Sequence, residues 1–279
     1  MSESLTPQQL NAYEADGILF PIEVFSRQEV SQFARQFEET CKCMGGSPKT
    51  EDLHQLFLNF KWAYDLATHP KVLDAVESVL GPNLLLWASS VFAKQAHDPG
   101  FISWHQDGTY WGLDSGKVTT AWIGLTESSV DNGCMRVVAG SQAMAIQPHR
   151  ETFAEDNLLS RGQEIAVDVS EEEATNVVLA PGQMSLHHVN IVHGSNANTS
   201  DKKRIGFAAR YITPSVKNND YHQPVVLARG EDTHGNFEVL KDPPNSKDLS
   251  SAVKAHLRTT REHTTEMRNT EGAYQKSED

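Results

Sequence analysis

The stretch LLLWASSVFA, residues 84–93, is the first of a series of short segments rich in apolar and β-branched residues. Glycine, asparagine, aspartate and proline residues separate it from the segments that follow, which are residues 118–125, 136–138, 176–179, 184–193 and 204–213. Many short strands without alternating helices are typical of a barrel or a double-sheet roll, not of a parallel α/β sheet. The sequence therefore predicts a mainly β core from residue 84 onward.

The residues before this region carry helix signals. Thr6-Pro7 is an N-cap followed by proline, Ser26 opens a capping-box sequence, and His69-Pro70 precedes apolar residues at helical spacing. A short strand, residues 18–20, is expected between the first two helices. Helices followed by strands predict an α+β fold in which N-terminal helices pack on a mainly β core.

The expected organisation is one domain over residues 1–245 and a polar tail over residues 246–279. The tail is charged, rich in threonine and poor in apolar residues, which predicts either a loosely attached helix or a disordered segment.

The charge and the apolar content of the chain restrict its partners. It has 279 residues, with 24 lysines and arginines against 37 aspartates and glutamates, and a formal net charge of −13. This balance argues against nucleic acid and anionic membranes as partners. No apolar run reaches the ~18 residues that span a bilayer, and the N-terminus does not resemble a signal peptide. With three cysteines, too few for a disulfide framework, the chain is predicted to be cytoplasmic.

The sharpest chemical pattern is WHQD, residues 104–107. Residues i and i+2 of a strand point to one face, so His105 and Asp107 present an imidazole and a carboxylate side by side. His193 follows 88 residues after His105, and Arg204 comes eleven residues later at the start of another predicted strand. Two histidines and one carboxylate form the facial ligand set of non-haem Fe(II) oxygenases.

Such a ligand set leaves open positions on the metal. These positions can take a bidentate 2-oxo acid and then O₂. The distal carboxylate of a 2-oxo dicarboxylate needs a second anchor, and an arginine offers a planar two-point fork. Arg204 is the candidate anchor, with the Ser195 hydroxyl as an added donor.

The same motifs resemble a known family. WHQD (104–107), AW (121–122), NGCM (132–135), GS (140–141) and the residues from His193 to Arg204 resemble the phytanoyl-CoA dioxygenase family, and the likeness extends over residues 5–215. The resemblance implies a double-stranded β-helix, or jelly-roll, core. It also implies Fe(II) as the metal and the decarboxylation of 2-oxoglutarate to succinate.

The resemblance further implies residue roles. By position it assigns the iron to His105, Asp107 and His193, and the distal carboxylate of 2-oxoglutarate to Arg204 and Ser195. Two more residues match family positions near the cofactor and are expected to bind it, namely Lys94 and Trp122. The family's halogenating relatives have a small residue in place of the carboxylate, so Asp107 favours hydroxylation.

Other residues are candidates for substrate contact. Gln106 lies within the metal motif, and Tyr110 and Trp111 flank it, although large aromatic residues are also typical of cores. Arg210 lies six residues after Arg204 in the same predicted strand, so the two side chains point to the same face. Arg210 could therefore face the substrate, with a surface ion pair as the alternative. In the predicted strand 184–193, His187 points to the same face as His193. It either borders the site or packs as a hydrogen-bonded histidine.

The remaining histidines have no partner at ligand spacing, and the sequence assigns them no role: His54, His69, His97, His149, His222, His234, His256 and His263. Three segments are candidate lids over the site, namely residues 49–60, 150–162 and 217–231.

The predicted function is that of an Fe(II)- and 2-oxoglutarate-dependent dioxygenase. With O₂ as cosubstrate, it would hydroxylate a C–H bond of a small polar metabolite. Arg210 and Arg136 are spare cations near the motif strands and suggest an aminoalkylphosphonate as the substrate. The family name suggests an acyl-CoA instead, but the sequence has no basic cluster suited to a CoA diphosphate.

Two other classes of protein remain as alternatives. A non-catalytic jelly-roll binding protein would not need the complete set of two histidines, aspartate and arginine. A zinc hydrolase could use two histidines and an aspartate with water as the fourth ligand. It would not need Arg204, and the sequence supplies it with no well-placed general base.

Overall fold

The structure is a computed structural model that describes residues 4–152, 154, 156–159, 162–166, 169–170, 172–218, 223–246 and 248–260. Most of the predicted tail, residues 261–279, lies outside the described residues. So do parts of two candidate lids, namely residues 153, 155, 160, 161 and 219–222.

Four α-helices precede most of the β core: α1 (Pro7–Asp16), α2 (Arg27–Cys43), α3 (Lys61–Ala67) and α4 (Pro70–Leu80). The three predicted helices are confirmed; α1 begins at the expected Thr6 N-cap and Pro7, and α2 begins at the expected capping box. In α2 the Ser26 hydroxyl accepts a hydrogen bond from the Glu29 N–H at 3.3 Å, and the Glu29 carboxylate accepts one from the Ser26 N–H at 2.7 Å. Helix α3 carries no capping signal and was not predicted.

The described residues also form thirteen β-strands: β1 (Ile18–Glu23), β2 (Leu84–Lys94), β3 (Ile102–His105), β4 (Val118–Gly124), β5 (Met135–Val138), β6 (His149–Glu151), β7 (Gln163–Ile165), β8 (Ala174–Val177), β9 (Gln183–His188), β10 (His193–Ser195), β11 (Arg204–Ile212), β12 (Val225–Arg229) and β13 (Val239–Leu240). The major sheet has the order β1-β9-β4-β11-β2-β12-β13, and the minor sheet has the order β3-β10-β5-β8. Strands β6 and β7 form a separate ribbon. The two sheets pack face to face, which confirms the predicted jelly roll.

The predicted segment 184–193 is not one strand. Strand β9 ends at His188 in the major sheet, and β10 begins at His193 in the minor sheet. The turn between them is closed by a hydrogen bond from the Ile191 N–H to the His188 carbonyl at 3.1 Å, and the Nδ1 atom of His188 accepts from the Asn190 N–H at 3.1 Å. The alternation of side chains along one strand therefore cannot relate the orientation of His187 to that of His193, because the chain crosses from one sheet to the other between them.

The largest apolar core lies between the helices and the major sheet. Polar groups inside it are paired: the Tyr211 hydroxyl donates to the Ala67 carbonyl at 2.6 Å, and the Trp62 indole donates to the Thr40 hydroxyl at 3.1 Å. The candidate lid at residues 49–60 belongs to this core, because Leu56 and Phe57 are completely buried. It is therefore a packed wall and not a loose lid.

Part of the predicted tail also packs on the core. Residues 249–260 are helical, and the His256 Nε2 atom lies 2.8 Å from the Asp52 carbonyl oxygen. Three of its side chains are buried, namely Ala252, Val253 and His256. This stretch is an attached helix; the division of the chain at residue 245 remains a prediction.

Replacing Gly206 by alanine is expected to destabilise the protein by about 1–3 kcal/mol, since overpacking a core has that typical cost. A Cβ atom on Gly206 would lie 1.9 Å from Cζ2 of Trp122, whose indole fills the space left by the glycine. Urea unfolding of Gly206→Ala measures the loss. Gly116→Ala is the matched control, because its Cβ would meet its nearest neighbour, His188, at 3.6 Å. Equal unfolding midpoints for the two variants would contradict this prediction.

Candidate active site

The three predicted metal ligands meet at the end of the minor sheet. His193 of β10 lies directly opposite His105 of β3, and their ring centroids are 4.1 Å apart. The Nε2 atoms of His105 and His193 lie 3.4 Å and 4.0 Å from the two carboxylate oxygens of Asp107. One candidate ligand atom from each residue lies within 4.8 Å of the other two. This is the 2-His-1-carboxylate arrangement that the spacing predicts.

The local structure of the motif differs from the predicted strand. Strand β3 ends at His105, and Asp107 begins a 3₁₀ turn, Asp107–Thr109. Gln106 between them is extended, with φ −120° and ψ 120°, so the carboxylate still comes alongside the imidazole.

Hydrogen bonds fix the orientation of both imidazoles. The Nδ1 atom of His105 lies 2.9 Å from the Ser103 carbonyl oxygen, and the Nδ1 atom of His193 lies 3.0 Å from the Ile191 carbonyl oxygen. A carbonyl can only accept, so the proton is on Nδ1 in each ring. Each Nε2 then presents a lone pair toward Asp107, as a metal ligand requires.

The electrostatics keep His193 and Asp107 deprotonated. Burial, reinforced by the neighbouring His105, lowers the pKa of His193 to about 4. Burial alone would raise the pKa of Asp107, but the adjacent His105 and His193 rings and the Arg210 guanidinium hold it well below its usual range. Neutral imidazoles and an ionised carboxylate are the forms that bind a divalent cation.

Gln106 was predicted to contact the substrate, but it does not face the cavity. Its side chain is completely buried, donates to the Asn190 carbonyl at 2.8 Å and accepts from the Gln147 N–H at 2.8 Å. Its backbone N–H donates to Nε2 of His149 at 3.0 Å. Gln106 and His149 therefore hold the segment between two metal ligands in place. Sequence spacing gave no indication of this role for His149.

Arg204 is buried with part of its guanidinium unsatisfied. Its Nη1 atom donates to the Gly133 carbonyl at 2.8 Å, and the group lies 5.4 Å from the centre of the Trp122 ring. Among the described residues, nothing accepts a hydrogen bond from Nε or Nη2. Burial lowers the pKa of Arg204 to about 10, so it is charged at neutral pH. Nε and Nη2 form the side of the guanidinium that pairs with a carboxylate, so the residue fits a bound dicarboxylate.

Lys94 and Ser195 lie beside this fork. Lys94 of β2 is directly opposite Arg204, and its ammonium donates to the Ser195 hydroxyl at 2.8 Å and to the Asn196 carbonyl. Because the Ser195 oxygen accepts from Lys94, its own proton is free to point toward an anion. Burial, followed by the charge of Arg204, lowers the pKa of Lys94 to about 6. A carboxylate bound here would pair with the Arg204 charge and favour the protonated form of Lys94.

A cavity of about 160 Å³ joins these groups between the two sheets. The predicted residues that line it are His105, Asp107, Tyr110, Trp111, Trp122, His193, Ser195, Arg204 and Arg210. Lys94 does not line the cavity, but it donates a hydrogen bond to Ser195, which does. Arg136 lies elsewhere, 5.2 Å from the Trp104 ring centre, in a neighbouring cavity of about 420 Å³ that contains none of the metal ligands. Of the two spare cations, only Arg210 is therefore near the metal site.

Part of the cavity wall was not predicted from the sequence: His54, Thr120, Leu158 and Leu159. Thr120 lies two residues before Trp122 on β4 and therefore points to the same face of the sheet, which the sequence alone indicates. His54 and the two leucines reach the cavity from connecting segments, which periodicity cannot place. Leu158 and Leu159 belong to the candidate lid at residues 150–162.

A jelly roll with this triad and a buried arginine fork defines a non-haem Fe(II)- and 2-oxoglutarate-dependent oxygenase. The chain belongs to the phytanoyl-CoA dioxygenase family, whose sequence model matches residues 13–206. It is accordingly a 2-oxoglutarate-dependent dioxygenase, with Fe(II) as its metal and 2-oxoglutarate and O₂ as cosubstrates.

Individual relatives agree with this assignment. The chain is 31% identical over 220 residues to a protein of Stutzerimonas stutzeri named probable alpha-ketoglutarate-dependent hypophosphite dioxygenase, covering 75% of this chain and 73% of the relative. It is 24% identical over 233 residues to human peroxisomal phytanoyl-CoA dioxygenase, covering 75% of this chain and 69% of the relative.

Solved structures also resemble this one. The structure of the non-heme monooxygenase ThoJ in its apo form is similar with a TM-score of 0.75 and 30% identity, covering 91% of this chain and 99% of ThoJ. CytC3 with Fe(II) and alpha-ketoglutarate shares the fold, with a TM-score of 0.66 and 20% identity, covering 89% of this chain and 97% of CytC3. Among the described residues, no helix combines the length and apolar character needed to cross a membrane.

Proposed function

We propose that the protein hydroxylates a C–H bond of a small polar metabolite. In this reaction 2-oxoglutarate, O₂ and the substrate give succinate, CO₂ and the alcohol, with one oxygen atom of O₂ in succinate and the other in the product. The observation that carries the proposal is the pairing of the triad with the unsatisfied Arg204 fork in one cavity.

The residues have distinct roles in this proposal. His105, Asp107 and His193 would hold Fe(II), and backbone carbonyls at Nδ1 fix the orientation of the two imidazoles. Arg204 and Ser195 bind the distal carboxylate of 2-oxoglutarate, with Lys94 orienting the serine hydroxyl. The metal and 2-oxoglutarate supply the oxidising power when bound. The protein contributes placement of the reactants and exclusion of water from the buried cavity.

The substrate is proposed to be an aminoalkylphosphonate. The cavity, about 160 Å³, is smaller than the ~300–1,000 Å³ of typical ligand pockets, which favours a compact substrate over an acyl-CoA. Arg210 places a cation in the cavity wall, and the Stutzerimonas stutzeri relative is named for a phosphorus oxyanion.

The reaction can be tested by following 2-oxoglutarate turnover with a substrate panel. Anaerobic addition of Fe(II) and 2-oxoglutarate is expected to give a weak visible charge-transfer band. In air, a short aminoalkylphosphonate should stimulate succinate formation about 10-fold or more over the substrate-free rate, with hydroxylated product equal to succinate. A tenfold change in rate corresponds to ~1.4 kcal/mol of transition-state stabilisation. The panel also contains hypophosphite, an acyl-CoA and an uncharged amino alcohol.

Each outcome of this experiment has one interpretation. Stimulation by the acyl-CoA alone would make the protein an acyl-CoA hydroxylase, and stimulation by hypophosphite alone would move the reaction from carbon to phosphorus. The absence of both the visible band and succinate in correctly folded protein would leave a non-catalytic binding protein.

A further inference from the structure

Three polar residues form a row across the major sheet at the substrate end of the cavity. Arg210 of β11 lies directly opposite Thr120 of β4, and Thr120 lies directly opposite His187 of β9. Directly opposite residues of antiparallel strands project to the same side of the sheet. All three line the cavity that contains the metal ligands.

Each member of this row has an unsatisfied polar atom. Among the described residues, nothing pairs with Nε of Arg210, Oγ1 of Thr120 or Nδ1 of His187. Thr120 and His187 are 1% and 2% exposed, so bulk water does not compensate them. Leaving a buried polar group unsatisfied is unfavourable, and three such groups in one row indicate that a ligand completes them.

Neighbouring contacts hold the row in a fixed geometry. The Nη1 atom of Arg210 donates to the Ser90 hydroxyl at 2.8 Å, and its guanidinium lies 4.9 Å from the centre of the Trp111 ring. The His187 ring packs 5.2 Å from the ring of His193. The row is therefore both preorganised and next to a metal ligand.

The row is separate from the proposed 2-oxoglutarate anchor. Arg204 and Arg210 are six residues apart on β11, which corresponds to about 20 Å along a strand. Between them, at the level of Ala208, the cavity wall is formed by the Trp122 indole, which lies directly opposite on β4. Two arginines at opposite ends of one strand can thus bind two different anions without competing.

We propose that Arg210, Thr120 and His187 form a subsite for the tetrahedral oxyanion of the substrate, of the phosphonate class. This inference rests on the proposed function and adds the groups that recognise the substrate. Three separate donors match the three oxygens of a phosphonate, whereas a carboxylate offers two. The cationic guanidinium supplies the charge, and the hydroxyl and imidazole supply directed hydrogen bonds.

Binding of methylphosphonate to the full-length protein loaded with Ni(II) and 2-oxoglutarate tests the subsite without turnover. Titration calorimetry of Arg210→Gln should show about 10- to 100-fold weaker binding, since hydrogen bonds to charged groups contribute ~1.5–3 kcal/mol. Thr120→Val, which removes one hydroxyl and keeps the shape, should weaken binding about 2- to 10-fold.

The matched control is Thr40→Val. Thr40 of α2 is also buried, but its hydroxyl donates to the Gln36 carbonyl at 2.8 Å and accepts from the Trp62 indole at 3.1 Å, outside the cavity. Its variant is expected to lose stability and to keep the methylphosphonate affinity of the parent protein. Equal affinity in the parent protein, Arg210→Gln and Thr120→Val would overturn the subsite, as would acetate binding as tightly as methylphosphonate.

The two proposals fail in different ways. If the iron-loaded protein converts 2-oxoglutarate to succinate but methylphosphonate does not bind, the subsite is wrong and the reaction stands. If methylphosphonate binding depends on Arg210 and Thr120 but no 2-oxoglutarate is consumed, the subsite stands and the reaction is wrong.

Discussion

Replacing Asp107 by alanine is expected to abolish turnover and to weaken divalent metal binding by more than about 100-fold. Mutation of groups that only support a metal ligand typically costs 10–100-fold in affinity, and loss of a ligand itself should exceed that range. Asp107 is also the one anion of the triad, so its removal leaves two neutral imidazoles facing a divalent cation. Calorimetric titration with Ni(II) measures the loss directly, and succinate formation measures turnover.

Two further variants separate the ligand role from damage to the fold. Asp107→Asn keeps the shape of the side chain but not its charge, and it should bind the metal more weakly than the parent protein. Asp201→Ala removes an exposed carboxylate whose ion-pair partner is Nε2 of His97, at 2.8 Å, and not a residue of the triad. Its metal affinity should be unchanged. A folded Asp107→Ala protein that binds Ni(II) like the parent would show that the metal lies elsewhere.

Replacing Arg204 by alanine is expected to weaken 2-oxoglutarate binding by about 30- to 5,000-fold. This range corresponds to the ~2–5 kcal/mol lost when one partner of a buried charge pair is removed. The effect should be large because the guanidinium is 1% exposed and two of its nitrogen atoms find no partner within the described part of the chain. Affinity is measured by displacement of 2-oxoglutarate from the Ni(II)-loaded protein.

The geometry of the fork can be tested separately from its charge. Arg204→Lys keeps the positive charge but offers a point charge instead of two parallel donors, so it should recover only part of the affinity. Arg35→Gln removes an exposed arginine on α2 that contacts Ser31 and should leave 2-oxoglutarate binding unchanged. Methylphosphonate binding at the Arg210 subsite should survive in Arg204→Lys. Unchanged 2-oxoglutarate affinity in Arg204→Ala would place the anchor elsewhere.

Local signals in the sequence predicted many of the elements. The Thr6-Pro7 N-cap signal and the capping box at Ser26 marked the starts of α1 and α2, because such signals depend only on residues close together in the sequence. The β-rich segments predicted most strands of the jelly roll, because their apolar content and turn residues are local properties. The prediction of one strand over residues 184–193 was wrong for the same reason, because a crossing of the chain between two sheets produces no signal in neighbouring residues.

The chemistry of the site is readable from the sequence, because His105, Asp107, His193 and Arg204 are recognisable from residue type and spacing. What surrounds them follows from the three-dimensional fold. It turned Gln106 away from the cavity, separated Arg136 from Arg210, and aligned Arg210 with Thr120 and His187. The physical reason is that ligand identity is a property of single side chains, whereas a cavity wall depends on register between strands distant in sequence. Strand pairing brings residues 120, 187 and 210 side by side, and no pattern within any one strand contains that information.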